Sequence, residues 1–251
     1  MTRIQPAEQL PLEFAPTGSR LPERLTPMRP TDGEGPFDDA GYFFEPWWPG
    51  IRALVQVEGG NVRRRAEALG DPTAAFPELA GIAQLVRGDG VVMDATLMVL
   101  DARGRPSRTL LERRLRAGAT REPSGAGPAA TGESGTASGS TAGGGSAALV
   151  ASDLLYLEGA SLAARAFGER RGELAALLAP SPWCLAGRGF VGDGTTVADA
   201  LGALGFRALS ARRLSAPLRA GPGGDAWYRV PVVAAPREMP PLLAVFRRLP
   251  L

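Results

Sequence analysis

Between Gly118 and Ser146 the chain is dominated by Gly, Ser, Thr, Ala and Pro, and the stretch closes on Gly143-Gly144-Gly145-Ser146. Such a segment cannot bury enough apolar area to offset the entropy of ordering it, so it reads as a flexible insertion. Any core must therefore be assembled from the two flanking stretches. A phosphate-loop reading of the glycines fails, because the Lys and the flanking strand and helix are missing. Residues 1–25 are Pro-rich and weakly periodic, the pattern of a loosely ordered arm.

The flanks carry alternating strand and helix signals. Tyr42-Phe43-Phe44-Glu45 and Arg52-Ala53-Leu54-Val55-Gln56-Val57 read as strands around a Pro/Gly break. Glu58-Gly59-Gly60-Asn61 reads as a turn into a return strand at Val62–Arg65. A helix is expected over Thr73–Leu85, with Phe76, Leu79, Ile82 and Ala83 on one face. A buried strand follows at Val91–Leu100 and a short amphipathic helix at Ser107–Leu115. Beyond the insertion come a strand at Ala148–Leu157, a turn at Glu158-Gly159 and a helix over Ser161–Leu178. The remaining signals are a strand at Gly189–Val191, a helix at Val197–Leu204, and strands at Leu209–Leu214 and Ala226–Val233. This order points to one α+β domain over residues 26–233, with a short C-terminal tail at 234–251.

Composition narrows the chemistry. All 28 basic residues are Arg, and the chain has neither lysine nor histidine. A genome biased toward Arg, Ala, Gly and Pro codons accounts for this, but the chemical consequence is independent of the cause. Arg pairs recur at Arg63-Arg64-Arg65, Arg113-Arg114, Arg170-Arg171, Arg212-Arg213 and Arg247-Arg248. Arg suits bidentate phosphate contact, which gives DNA affinity without sequence choice, and the same pairs also read as plain solvated faces. The net charge of +2 supplies no global basic field. No run of 18 apolar residues is present, so no membrane span is expected, and the N-terminus lacks the apolar stretch of a signal peptide. The single cysteine, Cys184, permits no intramolecular disulfide and fits a reducing cytoplasm. Its simplest reading is a small buried hydrophobe.

Phe37-Asp38-Asp39 through Ala53 (FDDAGYFFEPWWPGIRA) resembles the opening of the adenylation domain of ATP-dependent DNA ligases, as found in bacterial end-joining ligases. That family has Glu-Pro-Lys-Trp-Asp-Gly-x-Arg here, and its Lys attacks the α-phosphate of ATP. Glu45, Pro46, Trp48, Gly50 and Arg52 match, whereas Trp47 stands at the nucleophile position and Pro49 replaces the Asp. Val62–Leu79 resembles the family's Arg-Ser-Arg-Asn-Gly segment and its sequel, with Arg65 kept. Val92–Pro106 resembles the Leu-Asp-Gly-Glu motif, with Asp94 kept and Thr96 in place of the Glu used near ribose and metal. Ser152–Gly159 resembles Phe-Asp-Leu-Leu-Tyr-Leu-Asp-Gly, with Ser152 replacing an aromatic of the adenine site. In Gly205–Gly221, Arg207 replaces the catalytic-metal Glu and Arg212 a Lys. Trp227-Tyr228-Arg229-Val230-Pro231 resembles Trp-Leu-Lys-Val-Lys, with both lysines gone.

The resemblance covers roughly residues 27–231 and implies the DNA ligase nucleotidyltransferase (ATP-grasp-like) fold, antiparallel sheets flanked by helices. The family follows this domain with an oligonucleotide-binding barrel, for which Ala234–Leu251 is too short. ATP is the cofactor implied, with Glu45, Arg52, Arg65, Asp94, Arg212 and Arg229 as the remnant of its site. Arg207 and Arg229 are placed to pair with phosphate oxygens without a metal. Mg²⁺ is poorly supported, because Thr96 and Arg207 replace two carboxylates and this ion wants oxygen ligands. Lysyl adenylation needs an amine that becomes neutral; guanidinium stays protonated and indole only donates. The expectation is a scaffold without its catalytic residues, Trp47 packing into the vacated space, with an accessory role toward DNA or other repair proteins. The alternative is an enzyme that binds or hydrolyses ATP noncovalently.

Overall fold

A computed structural model of the chain describes residues 21–22, 25–66, 72, 75–119 and 144–250. Most of the expected N-terminal arm and of the insertion lies outside these residues. In chain order the strands are β1 (Met28–Arg29), β2 (Thr31–Asp32), β3 (Asp39–Pro46), β4 (Ile51–Glu58), β5 (Asn61–Ala66), β6 (Val91–Leu100) and β7 (Ser146–Leu157). They continue as β8 (Ala160–Ser161), β9 (Cys184–Ala186), β10 (Phe190–Gly192), β11 (Ala208–Arg213), β12 (Gly221–Pro222) and β13 (Trp227–Pro231). The α-helices are α1 (Arg108–Ala119), α2 (Phe167–Leu177), α3 (Gly194–Ala203) and α4 (Leu242–Phe246).

One sheet has the order β5-β4-β6-β7-β8, with β9 paired to β7, and the other the order β10-β3-β11-β13-β2. The long ladders are antiparallel, as expected, while β9 on β7, β2 on β13 and β1 on β12 are parallel. Strand β6 shows how period-two alternation separates the layers. Its Val91, Met93, Ala95, Leu97 and Val99 enter one core with Phe76, Leu79, Ile82, Leu174 and Leu177. Its Met98 and Leu100 enter a second core with Phe44, Val197, Leu201 and Phe206, and Asp94 and Thr96 are left facing a cleft. A strand buried on both faces reads as an almost continuous apolar run, and VVMDATLMVL is interrupted only where the cleft passes.

The sequence break at Trp47-Trp48-Pro49-Gly50 does more than separate two strands. It carries the chain from one sheet, through β3, to the other, through β4. A Cβ on Gly50 would lie 2.3 Å from the Leu97 carbonyl oxygen, so this crossing requires glycine. The β4–β5 hairpin closes on Gly59 (φ 56°) and Gly60 (φ 75°), the paired left-handed residues of a tight two-residue turn.

Two expected helices are corrected. The Thr73–Leu85 helix is a 3-10 helix over Pro77–Gln84. Its buried Phe76, Leu79 and Ile82 recur every three residues, which is the period of that tighter helix. The expected Ser161–Leu178 helix begins only at Phe167. Leu162 N–H is instead donated to the Leu155 carbonyl at 2.9 Å, and Leu218 N–H to that of Ala163 at 2.8 Å. Tertiary pairing thus overrides a helix-favouring composition. The segment set apart as a tail packs into the second core through Leu242, Val245, Phe246 and Leu249. The insertion is also narrower than its composition suggested, since α1 runs to Ala119 and β7 starts at Ser146.

Candidate functional site

The cleft between the two sheets is open to solvent and is lined from both sides. On the five-stranded sheet, Ser210 lies opposite Glu45 and Arg212 opposite Trp227, which puts these four side chains on one face. On the other sheet, Arg52 is in register with Thr96 and Leu54 with Asp94. Trp47, Trp48 and Gly50 close one end at the crossing between sheets.

The cleft's charges are paired with one another. Arg52 grips Asp94 bidentately, Nε to Oδ1 at 2.8 Å and Nη2 to Oδ2 at 2.5 Å. Arg212, 2% exposed, donates Nη1 to Asp153 Oδ2 at 3.1 Å and Nη2 to Ser152 Oγ at 3.2 Å. Its Nε stands 3.8 Å from Glu45 Oε1 and its Nη2 3.9 Å from Asp94 Oδ2. The guanidinium also lies 3.9 Å from the centre of the Trp227 ring, a cation–π contact in a desolvated place. From below, the fully buried Arg170 holds Asp153 bidentately at 2.9 and 2.8 Å. Asp153 is therefore shared by two buried guanidiniums, and Arg212 bridges it toward Asp94 and Glu45.

Glu45 is buried at 4% exposure. Burial pushes its carboxyl up to about 7, against the opposing pull of Arg212 and Arg171. Its Oε1 accepts from Ser210 Oγ at 3.3 Å, and Ser210 in turn accepts from Trp227 Nε1 at 3.0 Å. Near neutral pH this acid sits between its charged and neutral forms. Cys184 is buried in the first core, with its thiol pushed up to about 12 by burial, an inert hydrophobe.

The structure gathers Glu45, Trp47, Arg52, Asp94, Thr96, Ser152 and Arg212 into this cleft. Arg65 is not among them: its strand β5 lies outside β4, opposite Leu54, and the residue is exposed. Arg207 and Arg229 are also absent from the cleft and line a separate pocket with Asp32, Gly33, Ala208 and Pro231. Trp47 is half-buried and packs against Trp227 at 6.2 Å between ring centres. The reading of Arg pairs as solvated faces is corrected for four of them, because Arg64, Arg114, Arg170 and Arg212 are buried. Adjacent strand residues point to opposite faces, so one member of each strand pair turns inward.

The sequence reading missed the central part of Arg170 and the Ser210–Trp227 link. Phe167, Arg170, Leu174 and Leu177 are buried together on α2, a helical stripe in which Arg170 occupies an apolar slot. That spacing was the available signal.

ATP and a divalent metal fit this site poorly. The two cleft cations that would meet phosphate are committed to the chain's own carboxylates. Among the described residues no three His, Cys, Asp or Glu side chains converge as a metal-holding group.

No family model matches the chain. The multifunctional non-homologous end joining DNA repair protein LigD of Mycobacterium tuberculosis is 34% identical over 93 residues, 37% of this chain and 12% of that protein. A probable DNA ligase of Streptomyces avermitilis is 31% identical over 188 residues, 72% of this chain and 33% of that protein. The chain thus spans only a minor part of the curated relatives it matches. The solved ligase domain of M. tuberculosis LigD superposes with a TM-score of 0.59 at 24% identity, covering 82% of this chain and 58% of that one. A mycobacterial DNA ligase D complexed with ATP and MES gives 0.60 at 24% identity, covering 82% and 60%. The fold is therefore that of the DNA ligase nucleotidyltransferase domains. The proteins it is similar to in sequence include the end-joining LigD proteins and a probable DNA ligase.

Proposed function

We propose that this chain is a catalytically silent DNA-ligase-like domain that serves end-joining DNA repair as an accessory module for DNA or for other repair proteins in the cytoplasm. The observation that carries the reading is Arg212. Buried between Asp153, Ser152 and Trp227, it completes a charge network inside the cleft where the family resemblance would put nucleotide. Breaking that network to admit a triphosphate would take Arg212 from Asp153 and leave this buried carboxylate to Arg170 alone, a cost against nucleotide entry. The chain also lacks any lysine or histidine to take the adenylyl group.

The DNA-binding part rests on exposed arginines, Arg63 and Arg65 on β5 and Arg247 and Arg248 after α4. They can neutralise phosphates without sequence choice. No helix among the described residues is long and apolar enough to cross a membrane. Noncovalent ATP binding is the weaker reading, because it needs Arg52 and Arg212 released from Asp94 and Asp153.

The test is nick sealing by pure protein with ATP and Mg²⁺ or Mn²⁺, run beside electrophoretic retention of blunt duplex DNA over a salt series. The expected result is no sealing and DNA retention that weakens with salt. Sealing would end the silent reading, and no retention at low salt would remove DNA as the partner.

A further inference from the structure

The pocket between Arg207 and Arg229 shares no lining residue with the cleft, and Trp47 forms the wall between them. Trp47 lines the cleft, while its backbone N–H is donated to the carbonyl of Ala208, a residue of the second pocket, at 3.2 Å. The Arg229 guanidinium lies 5.4 Å from the centre of the Trp47 ring. Both arginines are exposed, and both stand on backbone held by hydrogen bonds. Val232 N–H is donated to the Arg207 carbonyl at 2.9 Å, and Gly33 N–H to the Arg229 carbonyl at 2.9 Å. Two forked donors are therefore presented from hydrogen-bonded backbone, Arg229 within β13 and Arg207 just before β11.

Their opposition is weak. Asp32 stands 3.8 Å from Arg229, but its side chain is 89% exposed and that of Arg229 48%. A pair so open to water is screened and contributes little. In contrast to Arg52 and Arg212, these guanidiniums are not locked into buried carboxylates and can turn toward an incoming anion.

We propose that this pocket is a metal-free phosphate site, Arg207 and Arg229 together taking a phosphate group of a nucleic-acid strand. The site deepens the DNA-binding reading above and rests on it. Asp32 acts as the displaceable counter-charge, and Arg229 moves between the Trp47 ring and the phosphate.

The test uses the whole chain in EDTA, with calorimetric titration of inorganic pyrophosphate and fluorescence anisotropy of a 5′-phosphorylated single strand. Arg207→Gln/Arg229→Gln is expected to weaken both by about tenfold or more, since charge-assisted bonds are lost. For the strand, the slope of log K against log salt should fall by about 1.4, about 0.7 for each lost contact. Asp32→Asn should tighten both. If the wild-type strand affinity survives the double substitution, the assignment of this pocket is overturned while DNA binding stands. Pyrophosphate binding without strand binding would overturn its assignment to nucleic acid. Binding of neither probe by the wild type would remove the site, whereas the DNA-binding reading falls only if blunt duplex DNA is also not retained. Every substituted position is exposed, so a thermal midpoint close to wild type is expected and confirms that the variants fold.

Discussion

Arg212 and Asp153 are both buried, and Arg212 Nη1 donates to Asp153 Oδ2 at 3.1 Å inside the cleft. Arg170 grips Asp153 from the other side, Nε to Oδ1 at 2.9 Å and Nη2 to Oδ2 at 2.8 Å. The three residues make a fixed strut between β7, α2 and β11. Removing Arg170 leaves a buried carboxylate with one lateral partner, so Arg170→Ala should lower unfolding free energy by about 3–5 kcal/mol. Arg212→Ala should destabilise by less, because Asp153 keeps its bidentate partner. Urea unfolding checks the order: both midpoints fall with the slope unchanged, Arg170→Ala further.

Glu45 makes the fold sensitive to pH in a defined direction. Its carboxyl is raised from 4.5 to about 7 chiefly by burial, so the folded state binds its proton more tightly than the unfolded state does. This group's contribution is fully present below about pH 4.5, shrinks as pH rises, and is lost above about pH 7. Between pH 5 and 8 the wild type should lose stability relative to Glu45→Gln by an amount on the order of 3 kcal/mol. Parallel stability curves for the two proteins would contradict the buried placement of Glu45.

Much of this arrangement was legible in the sequence. The strand positions, the Gly59-Gly60 hairpin and the two-face burial of β6 follow from alternation and turn chemistry. The meeting of Glu45, Arg52, Asp94 and Arg212 was implied by family motifs in order. What pattern alone could not give was pairing. An arginine at the end of a strand reads the same whether it faces phosphate, solvent or a buried aspartate. Arg212 went inward because Asp153 and Ser152 lie across from it on another sheet. Arg65 stayed outside because β5 is an edge strand. Both outcomes depend on contacts distant in sequence.

Restoring the nucleophile alone should not restore the reaction. Trp47→Lys would place an amine at the crossing, but Arg212 would still be held by Asp153 in the cleft wall, and Thr96 and Arg207 would still stand where the family resemblance has carboxylates. Denaturing electrophoresis after incubation with labelled ATP should show no adduct on this variant. Robust labelling would mean that the cleft admits ATP and that only the lysine had been lost.

The segment after Val233 is structural. Phe246 packs in the second core at 7% exposure, beneath Trp48 and Phe206. Phe246→Ala should cost about 3–5 kcal/mol by removing a buried aromatic, read as a fall in the thermal midpoint. A midpoint within a degree or two of wild type would contradict the docking of α4.

Arg52 and Arg212, the cleft's cations, are paired with Asp94 and Asp153 of the same chain. The most direct measurement is incubation of the pure protein with α-labelled ATP and Mg²⁺ or Mn²⁺, followed by denaturing electrophoresis, with a nucleotide thermal-shift titration on the same sample. The account predicts neither a covalent label nor a shift. A label that survives denaturation, or a saturable shift abolished by Arg52→Ala, would contradict it.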